Sequence, residues 1–132
     1  MDDLTLSETK IIKYLGIQID NNLKWNHHYE YVAKKLTSSL YLIRQLAKLK
    51  IRSLLMLAYH SVFESHIRYG IIVWVNASLF STKRSLILQK RAIRLITGLR
   101  RVDSCRDSFK ELSVLTFPSL YILEVILFIF EL

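Results

Sequence analysis

The stretch NHHYEYVAKKLTSSLYLIRQLAK, residues 26–48, decides the fold class. Its apolar residues Tyr29, Val32, Ala33, Leu36, Leu40, Ile43 and Ala47 recur at steps of three and four, the period that aligns side chains on one face of an α-helix. Lys34, Lys35 and Ser38 fall off that stripe and belong to the solvent side. Asn26 supplies a short polar side chain of the kind that caps an exposed helix start. A helix this long, with one apolar face, requires partners.

Partners follow downstream. A second helix is expected from about Ile51 to Tyr69, with Leu54, Leu55, Ala58, Val62 and Phe63 apolar and Gly70 placed to end it. Ile71 to Trp74 is too short a run for periodicity to separate strand from helix. A third helix covers about Ser81 to Thr97 and stops at Gly98; Leu88, Ala92, Leu95 and Leu99 mark its apolar side. A short helix from about Ser104 to Leu112 has Ser104 as cap and Asp107 to complement its amino end. Pro118 suits the first turn of a last helix, SLYILEVILFIFEL. That run falls short of the roughly 20 residues a bilayer demands, and Glu124 interrupts it. It reads as a core helix, or as one whose packing partner lies beyond the end of the chain.

Upstream, Lys10 to Asp20 alternates. Leu15, Ile17 and Ile19 point one way and Tyr14, Gly16, Gln18 and Asp20 the other, the pattern of a half-buried strand. Asp20-Asn21-Asn22 offers a turn, and Leu4 and Leu6 offer a partner strand. The expected fold is therefore mainly α: a bundle of four to five helices with a small N-terminal β element, residues 1–24 forming the strand segment and 25–132 the helical region. Composition agrees. With 52% hydrophobic residues, a mean hydropathy of +0.25, three glycines and one proline, the 132-residue chain lies outside the disordered and linker-rich classes.

Charge is unevenly placed. Between Tyr31 and Val102 stand Lys34, Lys35, Arg44, Lys48, Lys50, Arg52, Arg68, Lys83, Arg84, Lys90, Arg91, Arg94, Arg100 and Arg101, fourteen cations against the single acid Glu64. The local balance is +13, against +8 for the whole chain. A field this concentrated gathers polyanions, with nucleic acid as the first partner to consider, an anionic membrane surface as the second, and a merely solvated face as the bland alternative. Within the third helix Lys83, Lys90, Arg94 and Arg101 follow one line, and Arg84 and Arg91 widen it.

Other constellations point to structure rather than chemistry. Cys105 stands alone, so no disulfide framework exists. His27-His28 and the His60/His66 pair lack the spacing that brings two imidazoles to one helical face. Trp25 and Trp74 are either stacking platforms for bases or core anchors. The acidic start MDDLTLSETK is unlike a secretory signal or transit peptide, which makes an intracellular protein, nuclear or cytoplasmic, the expectation.

Several islands, in order, carry a resemblance. KYLGIQID followed by NNLKWNHHYEYVAKKL, then HIRYG, IIVWV, LILQKRAIRLITG and FKELSVLTFPSLYILEV resemble the region after the palm in reverse transcriptases of jockey-type non-LTR retrotransposons. In that family the pattern is a Lys-Tyr-Leu-Gly strand, a Leu-x-Trp-x-x-His step, a Tyr-Gly…Val-Trp step, a Gln-Lys-x-x-x-Arg helix and a Glu-Leu…Leu-x-x-Pro/Leu tail. The resemblance implies the thumb and C-terminal part of an RNA-directed DNA polymerase. It places Tyr14, Leu15 and Gly16 on the primer grip, although Gly16 equally eases a bend in a strand. It makes Lys34, Lys35, Lys83, Arg84, Lys90, Arg91, Arg94, Arg100 and Arg101 the candidates for holding a template–primer, RNA–DNA or DNA duplex by its phosphates. The missing partner would be the palm and fingers, whose carboxylates hold two Mg ions in the parent family. Asp2-Asp3 lack the preceding aromatic-Ala and hairpin, so no catalytic residue, cofactor or metal site is expected in this chain. Two alternatives stay open: a helical module that binds a protein or membrane surface, and a truncated element copy without function.

Overall fold

The computed structural model describes residues 11–14, 17–20, 26–69, 71 and 79–131. Among the described residues two strands, β1 (Ile11–Tyr14) and β2 (Ile17–Asp20), precede five helices, of which the second is interrupted. These are α1 (Asn26–Ala47), α2 (Arg52–Ala58) running through a π-helical segment (Tyr59–Glu64) into α3 (Ser65–Arg68), α4 (Leu79–Thr97), α5 (Arg106–Glu111) and α6 (Phe117–Glu131). The architecture is mainly α, as expected from the periodicity.

One expectation changes at the N-terminus. Where one strand is expected from Lys10 to Asp20, Ile11–Tyr14 and Ile17–Asp20 form two antiparallel strands, with Ile11 opposite Asp20 and Tyr14 opposite Ile17. An alternating pattern leaves the fold-back point open, because both arms of a hairpin share the same period. Leu4, Leu6 and the Asn21-Asn22 turn lie outside the described residues. The hairpin rests on α1 through β2.

α1 is the spine. Its stripe is buried except at its last member: Leu36 and Ile43 are fully enclosed, Tyr29, Val32, Ala33 and Leu40 are nearly so, and Ala47 is only partly buried. It packs chiefly against α4, and also against α2, the π-helical segment and α3. Asn26 is itself the first helical residue.

The second helix conceals the feature periodicity missed. Its turn widens over Tyr59–Glu64, which brings Tyr59, Phe63 and Glu64 into the interior together. Tyr59 stacks on Phe63 with ring centroids 5.4 Å apart. The Val62 carbonyl in this segment accepts hydrogen bonds from Ser39 Oγ (3.1 Å) on α1 and from the His66 ring. Side chains that supply donors in this way let a ladder depart from the i→i+4 pattern. Tyr69, extended at ψ 114, ends the element. Gly70 and the Ile72–Trp74 run lie outside the described residues; Ile71 is buried.

α4 also differs in its buried face. Leu88 and Ala92 are interior, but Leu95 and Leu99 are only half-buried, and Ser85, Gln89, Ile93 and Ile96 complete the core side. Gln89 is fully enclosed and satisfied. Its Nε2 donates to Tyr59 Oη (2.9 Å) and the Leu115 carbonyl (2.8 Å), and its Oε1 accepts the Phe117 N–H (2.7 Å). One amide thus ties α4 to the π-helical segment and to the start of α6.

Helix ends are set by local chemistry. Gly98 takes φ +75 just past α4, with the Leu99 N–H reaching back to the Arg94 carbonyl. After α5, Ser113 adopts the same left-handed region at φ 56. Its N–H bonds to Lys110 O, while the N–H of buried Val114 bonds to Phe109 O, a Schellman ending without its usual glycine. The cap of α5 is Cys105 rather than Ser104, whose Oγ accepts the Arg106 N–H at 3.4 Å. In α6 Phe117 and Leu120 are interior, whereas Ile126 through Phe130 are all exposed. Only the first half of the last helix is a core helix.

Candidate nucleic-acid interface

With Ser85, Leu88, Gln89, Ala92, Ile93 and Ile96 turned inward, the outer side of α4 presents Lys83, Arg84, Ile87, Lys90, Arg91 and Arg94. A groove runs along each flank of that side. The first, about 470 Å³, lies between α1 and α4; Tyr41 and Arg44 come from α1, Arg91 and Arg94 from α4, and Arg101 from the following loop. Leu40, Leu95 and Leu99 supply its apolar part. The second, about 420 Å³, lies between α4 and α5 and carries Lys90, Arg94, Ser104 and Arg106.

Arg94 belongs to both grooves. Its Nε donates to the Asp103 carbonyl at 2.9 Å, which fixes the guanidinium and leaves its terminal nitrogens to the surface. Among the described residues no carboxylate lies within 4.0 Å of Arg44, Lys90, Arg91, Arg94, Arg101 or Arg106. Guanidinium groups without acid partners match phosphate oxygens in paired, directional hydrogen bonds.

The remaining candidates are distributed differently. Lys83 is exposed in the row of Lys90 and Arg94. Lys34 is exposed in the α1 row of Thr37, Tyr41 and Arg44, where steps of three and four hold it on the groove side. Lys35 stands nine residues before Arg44, about half a turn round the helix, and its ammonium lies 5.4 Å over the Tyr31 ring. Arg84 is diverted to Glu30 (2.9 Å) and over the Tyr29 ring. Arg100 is bound by Asp103, whose carboxylate also takes the Arg100 N–H at 2.9 Å. These Arg100 hydrogen bonds hold the Asp103 carboxyl below its usual range. Tyr14 ends β1, and Leu15 and Gly16 lie outside the described residues, as do Trp25 and Trp74.

Folding therefore trims the central charge. Arg52 pairs with Glu111, Arg68 with Glu64 and Glu124, Arg84 with Glu30 and Arg100 with Asp103. All those acids except Glu64 come from the acidic flanks of the sequence. Of the cations left over, Arg44, Lys90, Arg91, Arg94 and Arg101 line the two grooves, joined by Arg106 from outside that stretch. Arg44 and Arg106 were not among the sequence candidates. The spacing of Arg44 with Tyr41 and Thr37 was visible in the sequence, but its position across from Arg91 depends on how α1 and α4 pack.

Among the described residues no group of three or more His, Cys, Asp or Glu side chains could hold a metal ion. The described residues thus do not fit the pair of Mg ions implied for the parent polymerases. His60 Nδ1 sits 3.4 Å from Glu64 and His66 bonds to the Val62 carbonyl, so the two imidazoles serve separate local contacts. Cys105 is buried. No described helix is long and apolar enough to cross a membrane. Comparison with family models, curated proteins and solved structures gave no match.

Proposed function

We propose that the chain holds a nucleic-acid duplex by its phosphate backbone, as the thumb-like region of a non-LTR retrotransposon reverse transcriptase would hold template–primer. The observation that carries this reading is the set of cations without acid partners spread over two adjoining grooves that share Arg94. Backbone contacts by lysine and arginine supply affinity without sequence choice. The resemblance of the sequence islands supplies the duplex as the ligand; polymerisation would belong to a palm that these residues do not form.

Binding of a labelled RNA–DNA duplex to the purified chain across a salt series tests it. Contact with six to eight phosphates gives a logarithmic salt slope of about −5 to −7. Replacing Lys90, Arg91 and Arg94 together by alanine should weaken binding to all duplex sequences alike and flatten that slope. A flat response in the unaltered chain, or no binding in low salt, would overturn the reading.

A second reading is favoured by one observation. Ile126, Leu127, Phe128, Ile129 and Phe130 are all exposed on the last turns of α6, and contiguous apolar surface of that kind marks contact with protein or membrane. Association that persists in high salt without any shift of a duplex would favour it.

A further inference from the structure

The loop between α4 and α5 places a hydroxyl among the unpartnered cations. Ser104 is exposed, lines the 420 Å³ groove with Lys90, Arg94 and Arg106, and among the described residues engages only the Arg106 N–H at 3.4 Å. Other exposed serines differ: Ser61 and Ser65 donate to carbonyls of their own helix, Ser113 is fixed in the α5 ending, and Ser38 and Ser53 also follow basic residues but lie within the helical backbone of α1 and α2. Ser39, Ser85 and Ser108 are buried. Arg100 and Arg101 precede Ser104 by four and three residues, in irregular backbone. Basic side chains upstream of a serine in a non-helical segment are what an arginine-directed protein kinase engages.

We propose that Ser104 is a phosphorylation site, and that its phosphate seats on Lys90, Arg94 and Arg106 and competes with the nucleic-acid backbone for them. The inference rests on the phosphate-binding reading above and names a means of regulating that surface. In the modifying step Ser104 Oγ bonds to the γ-phosphorus of ATP and the β–γ bridging bond breaks. ADP leaves, and the hydroxyl proton passes to the kinase's general base. The product adds about −1.5 to −2 charges at neutral pH.

The carboxylates facing this position are Asp103 and Asp107. Asp103 is already held by Arg100, and Asp107 is exposed in the first turn of α5. Against them stand Lys90, Arg94 and Arg106, none with a carboxylate within 4.0 Å among the described residues, although the charge of Arg94 also acts on the Asp103 carboxylate. Arg94, anchored on the Asp103 carbonyl one residue from Ser104, is the fixed point to which the phosphate would dock. Because Arg94 also lines the groove against α1, its capture withdraws a contact from both grooves.

The test uses the full 132-residue chain. Incubation with a purified arginine-directed serine kinase and ATP, mapped by mass spectrometry, should place phosphate on Ser104 and lose it in Ser104→Ala; incorporation elsewhere only, or none, overturns the assignment. A homogeneous chain with phosphoserine introduced at 104 during translation should bind duplex at least about tenfold more weakly, with a salt slope smaller by roughly 2. Unchanged affinity overturns the switch. Phosphorus NMR provides a readout independent of nucleic acid. The second ionisation of the phosphate, ordinarily near about 6, should be depressed in the phosphorylated chain and restored by Lys90→Ala with Arg106→Ala. If the unmodified chain fails to bind duplex but this depression is present, the backbone grip falls while the seated phosphate stands; if the depression is absent, the seat itself is refuted.

Discussion

Gln89 shows what single residues decide in this molecule. Sequence periodicity assigned the apolar side of α4 to Leu88, Ala92, Leu95 and Leu99; the first two are interior, but it passed over Gln89, Ile93 and Ile96. The structure turns Gln89 inward because three groups need it: the Tyr59 hydroxyl, the Leu115 carbonyl and the Phe117 N–H. The last of these is a donor at the start of α6, where helix N–H groups lack partners within the helix. Gln89→Leu keeps the volume and removes all three bonds, taking this partner from the buried Tyr59 hydroxyl, the buried Phe117 N–H and the part-buried Leu115 carbonyl. It should destabilise the chain by about 2–4 kcal/mol, since each orphaned buried polar group costs about 1–3 kcal/mol. Urea unfolding followed by circular dichroism measures this directly, and a loss below about 1 kcal/mol would show that the three bonds are not concerted. Gln89→Glu is the complementary variant, keeping the acceptor for Phe117 N–H while losing the donor to Leu115.

At the scale of elements, legibility follows from which information is local. α1, the extent of α4 with its Gly98 stop, and the start of α6 were readable because apolar period, glycine and proline act within a few residues. The π-helical segment was not: its cause includes Ser39, twenty-three positions away on α1. The hairpin was read as one strand because its arms share a period. The basic face was half legible. Lys83, Lys90, Arg91 and Arg94 follow from the wheel of α4, but the diversion of Arg84 and Arg100 needs Glu30 and Asp103 in place, and Arg44 gains significance only once α1 lies beside α4. This yields a discriminating expectation within α1. Arg44→Glu should weaken duplex binding by about tenfold or more, because it reverses a charge in the groove with Arg91 and Arg94. Lys35→Glu, the same reversal half a turn away, should change binding less than about threefold once measured at 0.15 M salt, where distant charges are screened beyond about 8 Å. Equal losses from the two variants in a filter-binding titration would mean that only net charge matters and that the grooves have no part.

For the molecule as a whole, the two deepest tyrosines couple folding to alkaline pH. Burial pushes the Tyr59 phenol far above its ordinary value of about 10, and the hydrogen bond from Gln89 only partly offsets it. Tyr29 is shifted the same way, again chiefly by burial, with Ser85 of α4 bonded to it at 3.3 Å. Both hydroxyls lie at junctions with α4, so ionising either one places a charge against the buried side of that helix. The sign follows from linkage. A phenol whose folded pKa is raised stays neutral in the native state while the unfolded chain begins to ionise near pH 10. The contribution is therefore intact below that pH and shrinks as pH rises towards the folded value. For Tyr59 alone the loss should be about 1.4 kcal/mol per pH unit above roughly pH 10.5. Tyr59→Phe lowers the starting stability by removing the Gln89 bond, so the comparison must be made between slopes and not between absolute values. Unfolding free energies measured in urea from pH 8 to pH 11.5 should fall less steeply in Tyr59→Phe than in the parent, and after exposed tyrosines such as Tyr41 have ionised, the last part of the parent's phenolate absorbance should rise together with loss of helical signal. Parallel slopes in the two proteins, or full phenolate absorbance while the helices persist, would mean that the Tyr59–Gln89 junction opens without unfolding the bundle.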